Sequence, residues 1–94
     1  MVLLTSENRL LECTHYTFAV THLNKSNRYR ITAYSPAAFP SSIEIIQEFD
    51  TESEAVAFLT ALGRRCYDRT MYTVGDIVAA SKEFIENEED LISE

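Results

Sequence analysis

Basic residues are scarce in this chain. Eight Lys and Arg stand against fifteen Asp and Glu, leaving a formal charge of -7. Such a balance gives no overall attraction to nucleic acid or to an anionic membrane surface. Glycine and proline number two each, too few for linkers or low-complexity segments, so most of the chain is expected in regular elements. No GxGxxG or GxxxxGK segment occurs, and Gly63 and Gly75 lie too far apart to cradle a phosphate together, so nucleotide-dependent chemistry has no support. No run approaches the ~20 apolar residues that span a bilayer. Met1-Val2-Leu3-Leu4 is too short for the apolar part of a signal peptide, and no basic residue precedes Glu7. The expected location is therefore cytoplasmic. Cysteine is limited to Cys13 and Cys66 with no CxxC spacing. Reduced, partly buried thiols are expected rather than a disulfide framework.

What is present is a composition of 46% apolar and 24% charged residues over 94 positions, ordinary for one small globular domain covering residues 1–94. Glu12 to Leu23 alternates, with Tyr16, Phe18, Val20 and His22 on one side and Cys13, His15, Thr17, Ala19, Thr21 and Leu23 on the other. Period two with Thr, Tyr, Phe and Val predicts a strand. Asn24-Lys25-Ser26-Asn27 suits a hairpin turn, after which Tyr29, Ile31 and Ala33 alternate with Arg28, Arg30, Thr32 and Tyr34. Pro36 and Pro40 interrupt the pattern. Ile43 to Phe49 is predicted as a third strand, with Ile43, Ile45, Gln47 and Phe49 opposite Glu44, Ile46 and Glu48. Val2-Leu3-Leu4 is either an added edge strand or a short helical turn.

The second half is helical by its spacing. Thr51-Glu52-Ser53-Glu54 forms a capping box in which Thr51 and Glu54 each satisfy the other's amide. Ala55, Phe58, Leu59, Leu62 and Cys66 then mark one apolar face, widened by Val56, and the helix is expected to stop near Tyr67 or Asp68. Thr73 and Asp76 repeat the cap, and Val74, Ile77, Val78, Ser81, Phe84 and Ile85 mark the inward face of a second helix. A short Asp68-to-Tyr72 link joins the two. The predicted fold is α+β, a three-stranded antiparallel meander with two C-terminal helices on one face, in the order β-β-β-α-α.

Catalytic and metal-binding sets are poorly supported. Cys13 and His15 share strand parity, but a structural zinc site wants four ligands and nothing nearby completes it. A Cys-His nucleophile needs a third group to orient the base, and none is evident. Carboxylate pairs abound, yet acid–base work requires environments that separate two pKa values, which an open acidic helix does not supply. No enzymatic activity and no cofactor are expected.

Arg64, Arg65 and Arg69 cluster at the end of the first helix, where their charge suits the helix dipole, and two further charged regions remain. Glu83 to Glu94 carries six carboxylates, Glu83, Glu86, Glu88, Glu89, Asp90 and Glu94, with no Lys or Arg. Glu83, Glu86 and Asp90 can share one side of a helix. Negative charge at a helix C-terminus opposes the helix dipole and repels itself, a cost that a basic partner would offset on binding. Leu91 and Ile92 would serve as apolar anchors, either for the tail on the body or for the partner. The predicted partner-binding set is Glu83, Glu86, Glu88, Glu89, Asp90, Leu91 and Ile92. The second region is Arg28, Arg30 and Tyr34 with Phe39 in the Pro36–Pro40 loop, a surface able to touch phosphates and stack a base.

In size and composition the chain resembles small acidic α+β proteins that block nucleic-acid enzymes, phage-encoded inhibitors among them; the likeness rests on no residue motif. It contributes only a class of partner; the expectation of an inhibitor or nucleic-acid-mimicking decoy comes from the carboxylate row, which a phosphate-binding groove of a basic nucleic-acid-handling protein would accept. The other expectations are a nucleic-acid or regulatory module using the Arg28/Arg30/Tyr34 face, and a non-catalytic homodimer.

Overall fold

The computed structural model describes residues 1–35 and 42–93, with side chains assigned through residue 35 and from residue 43 to residue 85. Strand β1 (Val2–Leu4) forms a tight hairpin with β2 (Leu10–Glu12). Asn8 closes its turn at φ 62, a left-handed conformation that Asn tolerates better than most residues. A single 3-10 turn, Cys13–His15, leads into β3 (Thr17–Leu23). The strand expected from Glu12 to Leu23 is therefore cut. Its first part belongs to the N-terminal hairpin, and the alternation survives only from Thr17 onward.

β3, β4 (Arg28–Ser35) and β5 (Ser42–Phe49) make the predicted antiparallel meander, in the order β3-β4-β5. The β3–β4 turn has Asn27 at φ 54, and its amide donates to the Leu23 carbonyl at 2.8 Å. One sheet face carries Phe18, Val20, Ile31, Ala33 and Phe49 toward α1 (Glu52–Arg65). Phe58 of α1 is fully buried, with its ring 5.5 Å from that of Phe49. A cavity in place of Phe58 would cost about 3–5 kcal/mol.

α1 buries Ala55, Ala57, Phe58, Ala61 and Leu62. Val56 does not widen that face but is exposed. The Thr51 cap is half as predicted: its hydroxyl accepts from the Glu54 amide at 3.2 Å, and the Glu54 carboxylate accepts from that hydroxyl at 2.9 Å instead of reaching the Thr51 amide. At the start of α2 (Val74–Ser93) the exchange is reciprocal. The Thr73 amide donates to Asp76 at 2.9 Å and the Asp76 amide to the Thr73 hydroxyl at 3.1 Å. Val74, Ile77 and Ser81 are buried on the predicted inward face.

The expected Asp68-to-Tyr72 link holds a further strand, β6 (Met71–Thr73), which pairs in parallel with β1. β1 is thus the centre of a second sheet, ordered β2-β1-β6, and not an edge of the meander. Leu3 and Leu11 point into the shared core, both nearly inaccessible. The fold is α+β as predicted, a meander followed by two helices, with this small sheet added.

Candidate functional site

The outer face of the meander is fixed by cross-strand register. Thr17 opposes Tyr34, Ala19 opposes Thr32, and Thr21 opposes Arg30 across β3–β4; Tyr34 opposes Ile43, Thr32 opposes Ile45, and Arg30 opposes Glu48 across β4–β5. The last pairing depends on a bulge. Ile31 faces Gln47 while Thr32 faces Ile45, so Ile46 has no partner and the alternation of β5 shifts by one. Glu44, Ile46 and Phe49 are buried in consequence, while Ile43 and Ile45 are 69% and 53% exposed. The strict alternation expected for this strand fails at the bulge, which turns two isoleucines outward and leaves Ile46 in the core.

Arg28 and Arg30 lie on this outer face, as predicted, but they are engaged. The Arg30 guanidinium donates to Glu48 Oε2 from both Nε and Nη2, at 3.1 and 2.9 Å. Arg28 Nη1 donates to Asp50 Oδ1 at 2.6 Å, and its Nε lies 3.5 Å from Glu48 Oε1. The two guanidinium groups and two carboxylates form one neutral cluster. A phosphate would have to displace acids already in place, which weakens the case for a nucleic-acid surface here. Tyr34 stands exposed at the other end of β4, and Phe39 lies outside the described residues.

The acidic region is built on α2. Its helical backbone runs to Ser93, and Glu83 is exposed. The side chains of Glu86, Glu88, Glu89, Asp90, Leu91 and Ile92 lie outside those described. Arg64 of α1 sits 5.0 Å from the centre of the Phe84 ring, a cation–π contact that fastens the middle of α2 to α1.

Glu44 illustrates how the body treats an inward carboxylate. It projects from β5 toward the core and is 8% exposed; Arg9, from the β1–β2 turn, meets its Oε1 at 2.9 Å. Cys13 is buried and its Sγ lies 3.9 Å from the Leu11 carbonyl. Burial, reinforced by the nearby Cys66, pushes its thiol up to about 11. His15 is exposed on the 3-10 turn, so the pair does not form a nucleophilic set. His22 Nε2 is 2.9 Å from Asn27 Oδ1, and its ring lies 4.9 Å from Tyr29. These contacts give His22 a turn-closing role. Among the described residues no group of three or more His, Cys, Asp or Glu is placed to hold a metal ion.

An open cleft of 530 Å³ lies beside the small sheet, lined by Glu12, Thr14, Cys66 and residues Tyr67 to Met71 among others. Sequence reasoning did not anticipate it, because it depends on the parallel β1–β6 pairing. The Thr14 hydroxyl donates to Glu12 Oε1 at 3.1 Å and, as the main cause, holds that carboxyl below the usual glutamate range. An acid kept ionised in an open cleft is unsuited to donating a proton at neutral pH. Sequence reasoning also missed Ile43, Ile45, Glu48 and Asp50 as surface partners of Tyr34, Arg30 and Arg28. Their charge order gave a signal, since two Arg on one predicted strand face two acids near the end of the next.

No helix among the described residues is long and apolar enough to cross a membrane. No protein-family model matches the chain, and no curated protein or solved structure matches it significantly.

Proposed function

We propose that the protein binds a basic protein through the acidic end of α2, and that it inhibits a nucleic-acid-handling machine by occupying its positively charged groove. The observation carrying this reading is the distribution of charge. Three cations of the body are paired with acids of the body: Arg9 with Glu44, Arg28 with Asp50 and Arg30 with Glu48. Residues 83–94 add six carboxylates and no Lys or Arg to a chain of net charge -7. Rows of carboxylate on a helix imitate the spacing-tolerant negative charge of a nucleic-acid backbone, and charge of this kind speeds encounter and fixes orientation.

Glu83, Glu86, Glu88, Glu89 and Asp90 supply the charge in this reading. Leu91 or Ile92 supplies the apolar anchor, because charge alone adds less to net affinity than a buried contact does. The action is occlusion without turnover. A cytoplasmic site fits the free thiols of Cys13 and Cys66. Direct nucleic-acid binding through Arg28, Arg30 and Tyr34 is the weaker reading, since both guanidinium groups are already neutralised.

The test is capture of a basic partner by the intact chain, compared with Glu86→Lys/Glu89→Lys and with Arg28→Glu/Arg30→Glu. Binding lost in the first and kept in the second supports the proposal. Binding that survives reversal of Glu86 and Glu89 overturns it.

A further inference from the structure

The outer face of the meander has a property that the acidic end lacks: it is self-complementary. Its charged end sums to zero, with Arg28 and Arg30 set against Glu48 and Asp50, in a chain whose total is -7. Its other end exposes Tyr34, Ile43 and Ile45. A basic protein finds no unsatisfied acid there, and a nucleic acid finds no free guanidinium. Two copies of a strongly acidic chain, by contrast, can approach most easily where neither presents net charge.

Register turns this into a geometric match. A twofold axis running parallel to the strands, between β4 and β5, lays β4 of each copy over β5 of the other without changing height along the strands. Residues paired across β4–β5 within one chain then oppose each other between chains. Tyr34 meets Ile43 of the second copy, Thr32 meets Ile45, and Arg30 meets Glu48. The Tyr34 ring covers Ile43, Thr32 covers Ile45, and the two neutral clusters set Arg30 of each copy against Glu48 of the other. Such isologous pairing is what a twofold dimer requires.

We propose that this face is where two copies of the chain associate, sheet against sheet, through Tyr34, Ile43 and Ile45 ringed by Arg30 and Glu48. The overlapping strands, β4 and β5, span an area of about 10 by 27 Å. That is less than half of the ~800 Å² per partner found in standard stable interfaces, so the dimer is weak and forms reversibly. Its expected dissociation constant lies above ~1 μM.

Sedimentation equilibrium of the full chain from micromolar to millimolar concentration tests the proposal. The mass should rise from one chain toward two. Ile43→Lys/Ile45→Lys should remain monomeric across the same range, with an unchanged melting temperature because both side chains are exposed. Should that variant fail to fold, Ile43→Ser/Ile45→Ser should weaken association at least about tenfold. Leu10→Lys, on the exposed face of the small sheet, should leave it unchanged. In a mixture of isotope-labelled and unlabelled chains, filtered NMR should show contacts from the Tyr34 ring to Ile43 methyls of the other copy. A chain that stays monomeric at millimolar concentration, or that loses association on Leu10→Lys, overturns the proposal. Glu86→Lys/Glu89→Lys should not affect dimerisation, so this result and the partner-binding result fail or succeed separately.

Discussion

On the outer face of the meander, Arg28 and Arg30 meet Glu48 and Asp50 within 3.5 Å, whereas residues 83–94 bring six carboxylates and no Lys or Arg. Strands and turns of the body set Arg9, Arg28 and Arg30 against acids, and the end of α2 accumulates charge of one sign. The difference separates two kinds of contact. In the two proposals, the neutral face recognises its own copy by register, while the acidic end depends on the charge of a partner.

The largest expected effect comes from breaking the acidic side of this contrast. Glu86→Lys/Glu89→Lys should lower affinity for a basic partner by about 100-fold, measured by titration calorimetry at low salt. Raising salt should weaken the wild-type complex as well. Neither change should lower the melting temperature, because the substituted positions follow the last buried residue described on α2, Ser81.

Matching of charge within the body is tested next by Arg9→Ala. It leaves the Glu44 carboxylate facing the core without its cation, and denaturant unfolding should show a loss of about 1–3 kcal/mol, moderated because Arg9 itself is largely exposed. Arg9→Ala/Glu44→Ala should recover part of that loss. A single variant as stable as the wild type would mean that the pair contributes nothing to folding.

The body also holds off unmatched charge at Cys13. With its folded pKa raised from 9.0 to about 11 by burial first and Cys66 second, the thiol stays neutral in the folded chain after the unfolded chain has begun to ionise. Its contribution to stability is therefore fully present below pH 9 and is lost progressively as pH rises from 9 to about 11. Urea midpoints across that window should fall in the wild type and fall less in Cys13→Ala. Equal slopes would remove Cys13 from the explanation.

The smallest effect is expected from Arg30→Met. Its pair with Glu48 is partly open to solvent, so stability should change by less than about 1 kcal/mol. Self-association should nevertheless decline, because the variant gives each face a net negative charge. Sedimentation at fixed concentration measures that decline.

Legibility followed the range of the interactions. The meander was visible in the sequence because Phe18, Val20, Ile31 and Ala33 alternate and a four-residue polar turn joins them. Thr73 and Asp76 announced the start of α2 through local hydrogen bonds. β6 was hidden, since Met71-Tyr72-Thr73 is too short to show a period and acquires its strand character from pairing with β1. Ile43 and Ile45 were assigned to the same side as Phe49 because alternation carries no mark of the bulge at Ile46. Arg28 and Arg30 appeared as a basic patch in the linear reading. Only the β4–β5 register brings Glu48 beside them. The acidic end was evident from composition, which supplies its charge but not its partner.

The parallel pairing of β1 with β6 has a consequence for how the chain reaches this structure. Val2 and Met71 are 69 positions apart, whereas Leu23 and Arg28 close the β3–β4 hairpin across five. Closing the longer loop costs about 2 kcal/mol more in chain entropy, so it becomes favourable only after intervening segments have drawn its ends together. The meander and α1 can nucleate from neighbouring contacts, and the small sheet completes the molecule afterwards. The opening residues thus act as a late clasp between the beginning of the chain and the base of α2.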